Sequence, residues 1–195
     1  MAFSDLYDYA ANKTAAPILI QGQVDAEILR ITAQDKILYT PVDLDTQVCF
    51  GLVKQYRVSN GVYDSDPEWV TEVRYSKTLN MCWKRFVCCK ELMHIFDNQE
   101  AQTDSAAKFT SLLDQLETEP LKEDRTEAYN SENRTKWMAL CILCPLPFRA
   151  HYKPLWDSGA MSDYDVGLAL RIPEIYVQSI MKDYFPKVVE ALTRA

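Results

Sequence analysis

Three side chains capable of chemistry share one helical spacing within residues 85–96: Lys90, Glu91 and His94. On a helix, positions four apart project from one face a turn apart, so Lys90 and His94 point the same way with Glu91 beside them. Two imidazoles at that spacing, with a glutamate next to the first, hold zinc and supply a general base for attack by metal-bound water. This chain has the base in Glu91 and the second imidazole in His94, but Lys90 stands where the first imidazole belongs. An ammonium has no lone pair to give, and removing its proton near neutral pH is costly. The spacing therefore gives a zinc-hydrolase frame in which a cation replaces one coordination vertex.

Zinc in such a frame takes a third protein ligand from another element. Glu132 is the candidate, because Ala139 and Leu143 follow it along the helical face that meets the core. Glu127 is the fallback ligand. In any metal-bound form His94 and Glu132 would be ligands and Glu91 the base. The Lys90 ammonium, near the missing vertex, is expected to pair with Glu91 or Glu132 and to take over part of the metal's role in joining two helices. The expectation is a protein purified without a resident cofactor, with zinc held at low occupancy at most.

The elements that must position these groups follow from periodicity. Cys82, Phe86, Cys89, Met93 and Phe96 form the apolar stripe of a helix beginning near Thr78, with Trp83, Val87, Lys90 and His94 on the adjacent face. Ser131 as a cap predicts a second helix running to Cys144 and closed by Pro145-Leu146-Pro147. Upstream, a helix is predicted around residues 24–31 and a strand at 36–41. Residues 48–58 are rich in β-formers, Asn60-Gly61 is a hairpin signal, and Trp69, Thr71, Val73 and Tyr75 alternate on one face. Asp104 or Ser105 caps a further predicted helix through Leu116, followed by a charged loop at 117–124. Ser162-Asp163 starts a short helix ending at Leu170, Ile172-Pro173 breaks it, and a last helix interrupted at Pro186 completes the chain. The reading is an α+β fold with a small antiparallel sheet and a helical C-terminal half.

On these residues the chain resembles a known family. Arg85-Phe86 followed by Lys90-Glu91-Leu92-Met93-His94-Ile95-Phe96 resembles the R-F-x-x-A-H-E-L-G-H-x-x pattern of the ImmA/IrrE metallopeptidases. Glu132, Ala139, Ile142-Leu143 and Pro145 stand at the offsets of that family's second motif, E-x-x-A-N-x-F-A-x-x-L-L-x-P. Met161-Ser162-Asp163, Val166-Gly167-Leu168-Ala169 and Ile172-Pro173 look like its closing pair of short helices. The resemblance spans roughly residues 45–182. It implies a metallopeptidase-like active-site helix packed on the sheet, a third zinc ligand at Glu132, and a prophage, mobile-element or stress-regulation setting. The departures are Lys90 for the first histidine, Met93 for a glycine, and Thr135-Lys136 for the A-N pair. A long stretch also separates His94 from Glu132. The domain expectation is one unit over 1–195, with an N-terminal helix and strand region at 1–44, the family-like core at 45–182 and an insertion at 97–131.

Composition sets outer limits. The 195 residues are 48% hydrophobic and 25% charged, ordinary for a globular chain. A formal net charge of -7 disfavours a broad phosphate-binding surface, so nucleic acid is not an expected partner. No apolar run approaches the roughly 20 residues that span a bilayer. Met1-Ala2-Phe3-Ser4-Asp5 lacks the basic and apolar regions of a secretory signal. The six cysteines include the vicinal pair Cys88-Cys89, and Cys82, Cys141 and Cys144 sit in apolar helical patterns. That usage predicts reduced, buried thiols and a cytoplasmic protein.

Other motifs carry less. Cys141-x-x-Cys144 has no second C-x-x-C to complete a metal site, so buried core thiols are the simpler account. His151 falls in a stretch rich in proline and aromatic residues, 149–156, which reads as a loop where it could touch a ligand or simply face solvent. Residues 162–181 loosely resemble a helix-turn-helix, but 173–181 offers little beyond Gln178 to a groove. Five glycines and no glycine-rich loop argue against nucleotide binding, and no nucleophile elbow is present.

Together these observations predict a catalytically impaired, zincin-like protein that binds a protein partner through a former substrate cleft. Two other readings stay open: an active zinc-dependent endopeptidase cleaving a regulatory protein, and a structural or assembly protein using the fold as a scaffold.

Overall fold

The computed structural model describes residues 2–13, 17–59, 67–97 and 127–194. The turn expected at Asn60-Gly61, the helix expected over 104–116 and the loop over 117–124 lie outside the described residues.

Three strands, β1 (Lys36–Val42), β2 (Gly51–Val58) and β3 (Glu68–Ser76), form one sheet in the order β1-β3-β2. The fold is α+β, as expected, but the sheet is mixed and not wholly antiparallel. β2 and β3 are antiparallel, Gly51 opposite Tyr75 and Val58 opposite Glu68. β1 and β3 are parallel, Lys36 opposite Val70 and Val42 opposite Ser76. The cause is order: β3 enters between its two predecessors, and β2 runs against both. β2 also starts later than predicted. Val48 and Cys49 belong to a turn whose amides donate to Asp45 O.

As the central strand, β3 is buried on both faces, including Val70, Thr71, Glu72, Val73 and Tyr75. Its face bearing Thr71, Val73 and Tyr75 meets helix α3 (Met81–Met93). Asn80 caps α3, its side chain accepting from Trp83 N at 3.0 Å. A 3-10 turn, His94–Phe96, extends the helix. From Phe86 onward α3 is buried on nearly every side. The sheet covers one flank and α4 (Glu127–Leu143) the other. Past Phe86 in α3 only Lys90 keeps partial exposure, so the groups on that part of the helix answer to each other more than to water.

α4 begins at Glu127, which moves Ser131 from the predicted cap into the second turn. α4 ends at Leu143, at the predicted stop Pro145-Leu146-Pro147, but in place of the loop expected over 149–156 stands helix α5 (Leu146–Asp157). Pro147 sits in its first turn, where no amide partner is needed, and only Pro154 interrupts the ladder. α6 (Asp163–Leu170) carries the predicted Ser162 cap in a reciprocal capping box with Asp165. A 3-10 turn, Glu174–Tyr176, leads into α7 (Val177–Met181). The last break falls at 182–184, and Pro186 lies in the first turn of α8 (Phe185–Thr193) without interrupting it.

Two N-terminal helices complete the core: α1 (Ala2–Ala11), which is not among the expected elements, and α2 (Asp25–Ile31), which is. α1 buries Phe3, Leu6, Tyr7 and Ala10, and Tyr7 Oη accepts from Leu146 N at 3.2 Å. Leu6, Ile28, Leu92, Met93, Met138, Ile142, Leu170 and Phe185 make one continuous core around α3 and α4. Arg85 pins α3 to its surroundings. Its guanidinium donates to Leu170 O and Ile18 O at 2.8 Å and to Arg171 O at 3.3 Å, satisfying carbonyls at the end of α6. Burial draws its pKa down to about 10. Among the described residues no helix is long and apolar enough to cross a membrane.

Candidate functional site

The site begins with a close approach. Gly51, first residue of β2, lies against α3, and a Cβ there would stand 2.4 Å from Val87 Cγ1 and 3.4 Å from Glu91 Cγ. Only glycine lets the strand press onto the helix at the turn that carries Lys90 and Glu91. From the other side α4 brings Glu132 to the same point.

Lys90, Glu91, His94 and Glu132 therefore converge, from two helices. Lys90 Nζ lies 3.0 Å from Glu91 Oε1 and 2.5 Å from Glu132 Oε2. His94 Nε2 stands 3.4 Å from Glu132 Oε1 and 3.9 Å from Glu91 Oε2. The other imidazole nitrogen, Nδ1, lies 3.5 Å from Ser131 Oγ and 3.8 Å from Asp97 Oδ2, and Ser131 Oγ donates to Asp97. Glu91 and His94 are only 3% and 4% exposed, and 31% of the Glu132 side chain reaches solvent. Glu127 opens α4, but its side chain lies outside the described residues.

The electrostatics follow from this enclosure. Burial by itself would lower the Lys90 pKa, but the carboxylates of Glu91 and Glu132 outweigh it and hold the ammonium above its ordinary range. Burial would likewise raise Glu132, but the Lys90 charge and His94 hold its carboxyl well below the usual range. Both groups are therefore charged across the neutral range and tied to each other.

A zinc ion does not fit this donor set. The nearest oxygens of both carboxylates point at an ammonium, leaving one imidazole without a completed ligand shell. Among the described residues, no three His, Cys, Asp or Glu side chains form a group that could hold a metal ion. The imidazole nonetheless keeps a ligand's posture: Nδ1 is backed by a hydroxyl and a carboxylate, and Nε2 faces inward.

Asp97 and Ser131 are site residues that sequence reasoning misses. Ser131 directly precedes Glu132, a spacing available as a signal, whereas Asp97 lies past the end of the helical stripe, beyond the 3-10 turn. Ser131 reads as a cap because hydroxyls favour that position. Cys49 adjoins the site, its thiol raised by burial and by the neighbouring Glu91.

The remaining candidates stand elsewhere. His151 is exposed on α5, edge-on to Tyr152. Cys88, Cys89, Cys141 and Cys144 are free and buried, and burial pushes the Cys88, Cys89 and Cys144 thiols up to about 12. Such thiols are protonated and unreactive. In the pair α6–α7, Val166, Leu170, Ile172, Val177 and Ile180 are buried, and Gln178 donates to Asp163, so this unit is packed core.

Compared with protein-family models, curated proteins and solved structures, the chain matches none.

Proposed function

We propose that this chain is a non-catalytic binding protein built on a zincin-like site whose metal has been replaced by the Lys90 ammonium. The observation that carries the reading is Lys90 Nζ lying between Glu91 and Glu132 at 3.0 and 2.5 Å. A cation fixed there engages the two carboxylates that a catalytic metal and a general base would need free. What the site retains is a partly exposed acidic surface next to aromatic side chains, which suits recognition of a protein partner. The prophage, mobile-element or stress setting comes from the ImmA/IrrE resemblance of residues 85–86, 90–96 and 132–145.

The runner-up is an active zinc-dependent endopeptidase with an unusual ligand set. On its side is His94, oriented by Asp97 and Ser131 as a metal ligand would be.

Elemental analysis of the purified chain and of Lys90→His tests the reading. The expected result is no stoichiometric zinc in the natural protein and about one zinc per chain in the variant, bound by the introduced imidazole together with His94 and Glu132. Stoichiometric zinc in the natural protein that disappears in His94→Ala would overturn it. So would a folded Lys90→His variant that gains no zinc.

A further inference from the structure

We propose that the aromatic strip beside the Lys90 cluster takes an extended segment of a partner protein, bearing a lysine or arginine next to a large apolar residue. This rests on the binding reading above and names the chemistry of its partner.

The strip is continuous. Phe50 stacks on Trp83 with ring centroids 4.7 Å apart, and Trp83 meets Tyr176 edge-on at 5.9 Å. Phe50 is 38% exposed, and Ile175, beside Tyr176 in the chain, is 66% exposed. It also adjoins the charged cluster. Trp83 lies about two helical turns before Lys90 on the same face of α3. Gly51, next to Phe50, packs on Glu91. The Lys90 charge reaches Tyr176, opposing the burial that raises its phenol.

Charge selects the occupant. Among the described residues two carboxylates, Glu91 and Glu132, face the single ammonium of Lys90, and a third, Asp97, lies behind them against His94. Side-chain exposure is 4% for Glu91 and 5% for Asp97 but 31% for Glu132, so the excess negative charge meets solvent at Glu132. A guanidinium or ammonium laid there gains a charge-assisted hydrogen bond. An adjoining apolar side chain covers Phe50 and Trp83, whose ring faces also favour a nearby cation. An acidic segment would meet repulsion at the same point.

Selection of displayed random octapeptides on the full chain tests this. The best peptide is then titrated by fluorescence anisotropy against the natural protein, Glu132→Gln and Phe50→Ala, each checked for folding by circular dichroism. Phe50→Ala leaves the ion pair untouched, so it serves even if Glu132→Gln fails to fold. The expected outcome is enrichment of a basic residue adjacent to Phe, Trp or Leu. Affinity should fall about tenfold in each folded variant, and again when the peptide's basic residue becomes norleucine. Enrichment of acidic or uncharged peptides, no enrichment, or unchanged affinity in Phe50→Ala would overturn the assignment. Concentration-dependent dimerisation abolished by Phe50→Ala would overturn it too, giving the strip to a second copy of this chain. If the selection fails while Lys90→His gains zinc and the natural protein has none, the segment assignment falls and the replaced-metal reading stands. Stoichiometric zinc in the natural protein removes the reading itself.

Discussion

Lys90 Nζ and Glu132 Oε2 lie 2.5 Å apart, and this contact ties α3 to α4 where both helices enter the core. Lys90 also holds Glu91, so three charges from two helices form one bridged unit. A buried pair contributes little beyond an apolar replacement, but breaking one strands the partner.

Lys90→Met should therefore destabilise the fold by about 3 kcal/mol, since Glu91 is then left buried without a counter-charge. Glu132→Gln should cost less, about 1–2 kcal/mol, because Lys90 keeps Glu91. The double variant should cost less than the two singles added, by about 1 kcal/mol or more. Urea unfolding of the four proteins checks the cycle, and strict additivity would show that the two side chains are not coupled.

The same unit sets a pH dependence. Glu132 has a folded pKa below its ordinary 4.5, so its stabilisation is present above that value and is lost as pH falls through the folded pKa. Lys90 has a folded pKa above its ordinary 10.5, so its stabilisation is present below that value and is lost as pH rises through the folded pKa. Melting temperature should be flat with respect to this pair between those limits. The acid-side decline should be shallower in Glu132→Gln than in the natural protein, which thermal melts from about pH 3 to 7 would measure.

Gly51→Ala should destabilise by about 2 kcal/mol, because the new Cβ would lie 2.4 Å from Val87 Cγ1 and 3.0 Å from Arg74 O. Adding Val87→Ala removes the first clash and should recover part of the melting temperature. A Gly51→Ala protein as stable as the parent would contradict the seating of β2 on α3.

Thiol titration checks the burial of the cysteines. In the native protein Cys82 should react with a thiol reagent within minutes and Cys49, whose thiol is raised by burial, more slowly. Cys88, Cys89, Cys141 and Cys144 should react only on unfolding. Fast labelling of Cys141 or Cys144 would contradict a core position for the C-x-x-C pair.

Much of the site is legible in the sequence because helical spacing is rigid. Lys90, Glu91 and His94 have to share one face, and the face of Glu132, Ala139 and Leu143 has to meet the core, so their convergence can be anticipated. Asp97 cannot, because it lies past the end of the periodic stripe, where a 3-10 turn resets the direction of side chains. The direction of β1 is not legible either. Nothing local in residues 36–42 says that a later strand will enter between it and β2. α1 is legible after the fact, since Phe3, Leu6, Tyr7 and Ala10 fall at helical spacing, but small and polar residues between them obscure the stripe. α5 reads as a loop because prolines signal breaks, although Pro147 occupies a turn that tolerates one.

The bridging lysine also constrains how this chain can drift over time. Position 90 and position 132 sit on separate helices yet answer to one electrostatic balance, so a neutral change at 90 strands two carboxylates at once, whereas one at 132 leaves the lysine with Glu91. Lineages should therefore vary at 132 more freely than at 90.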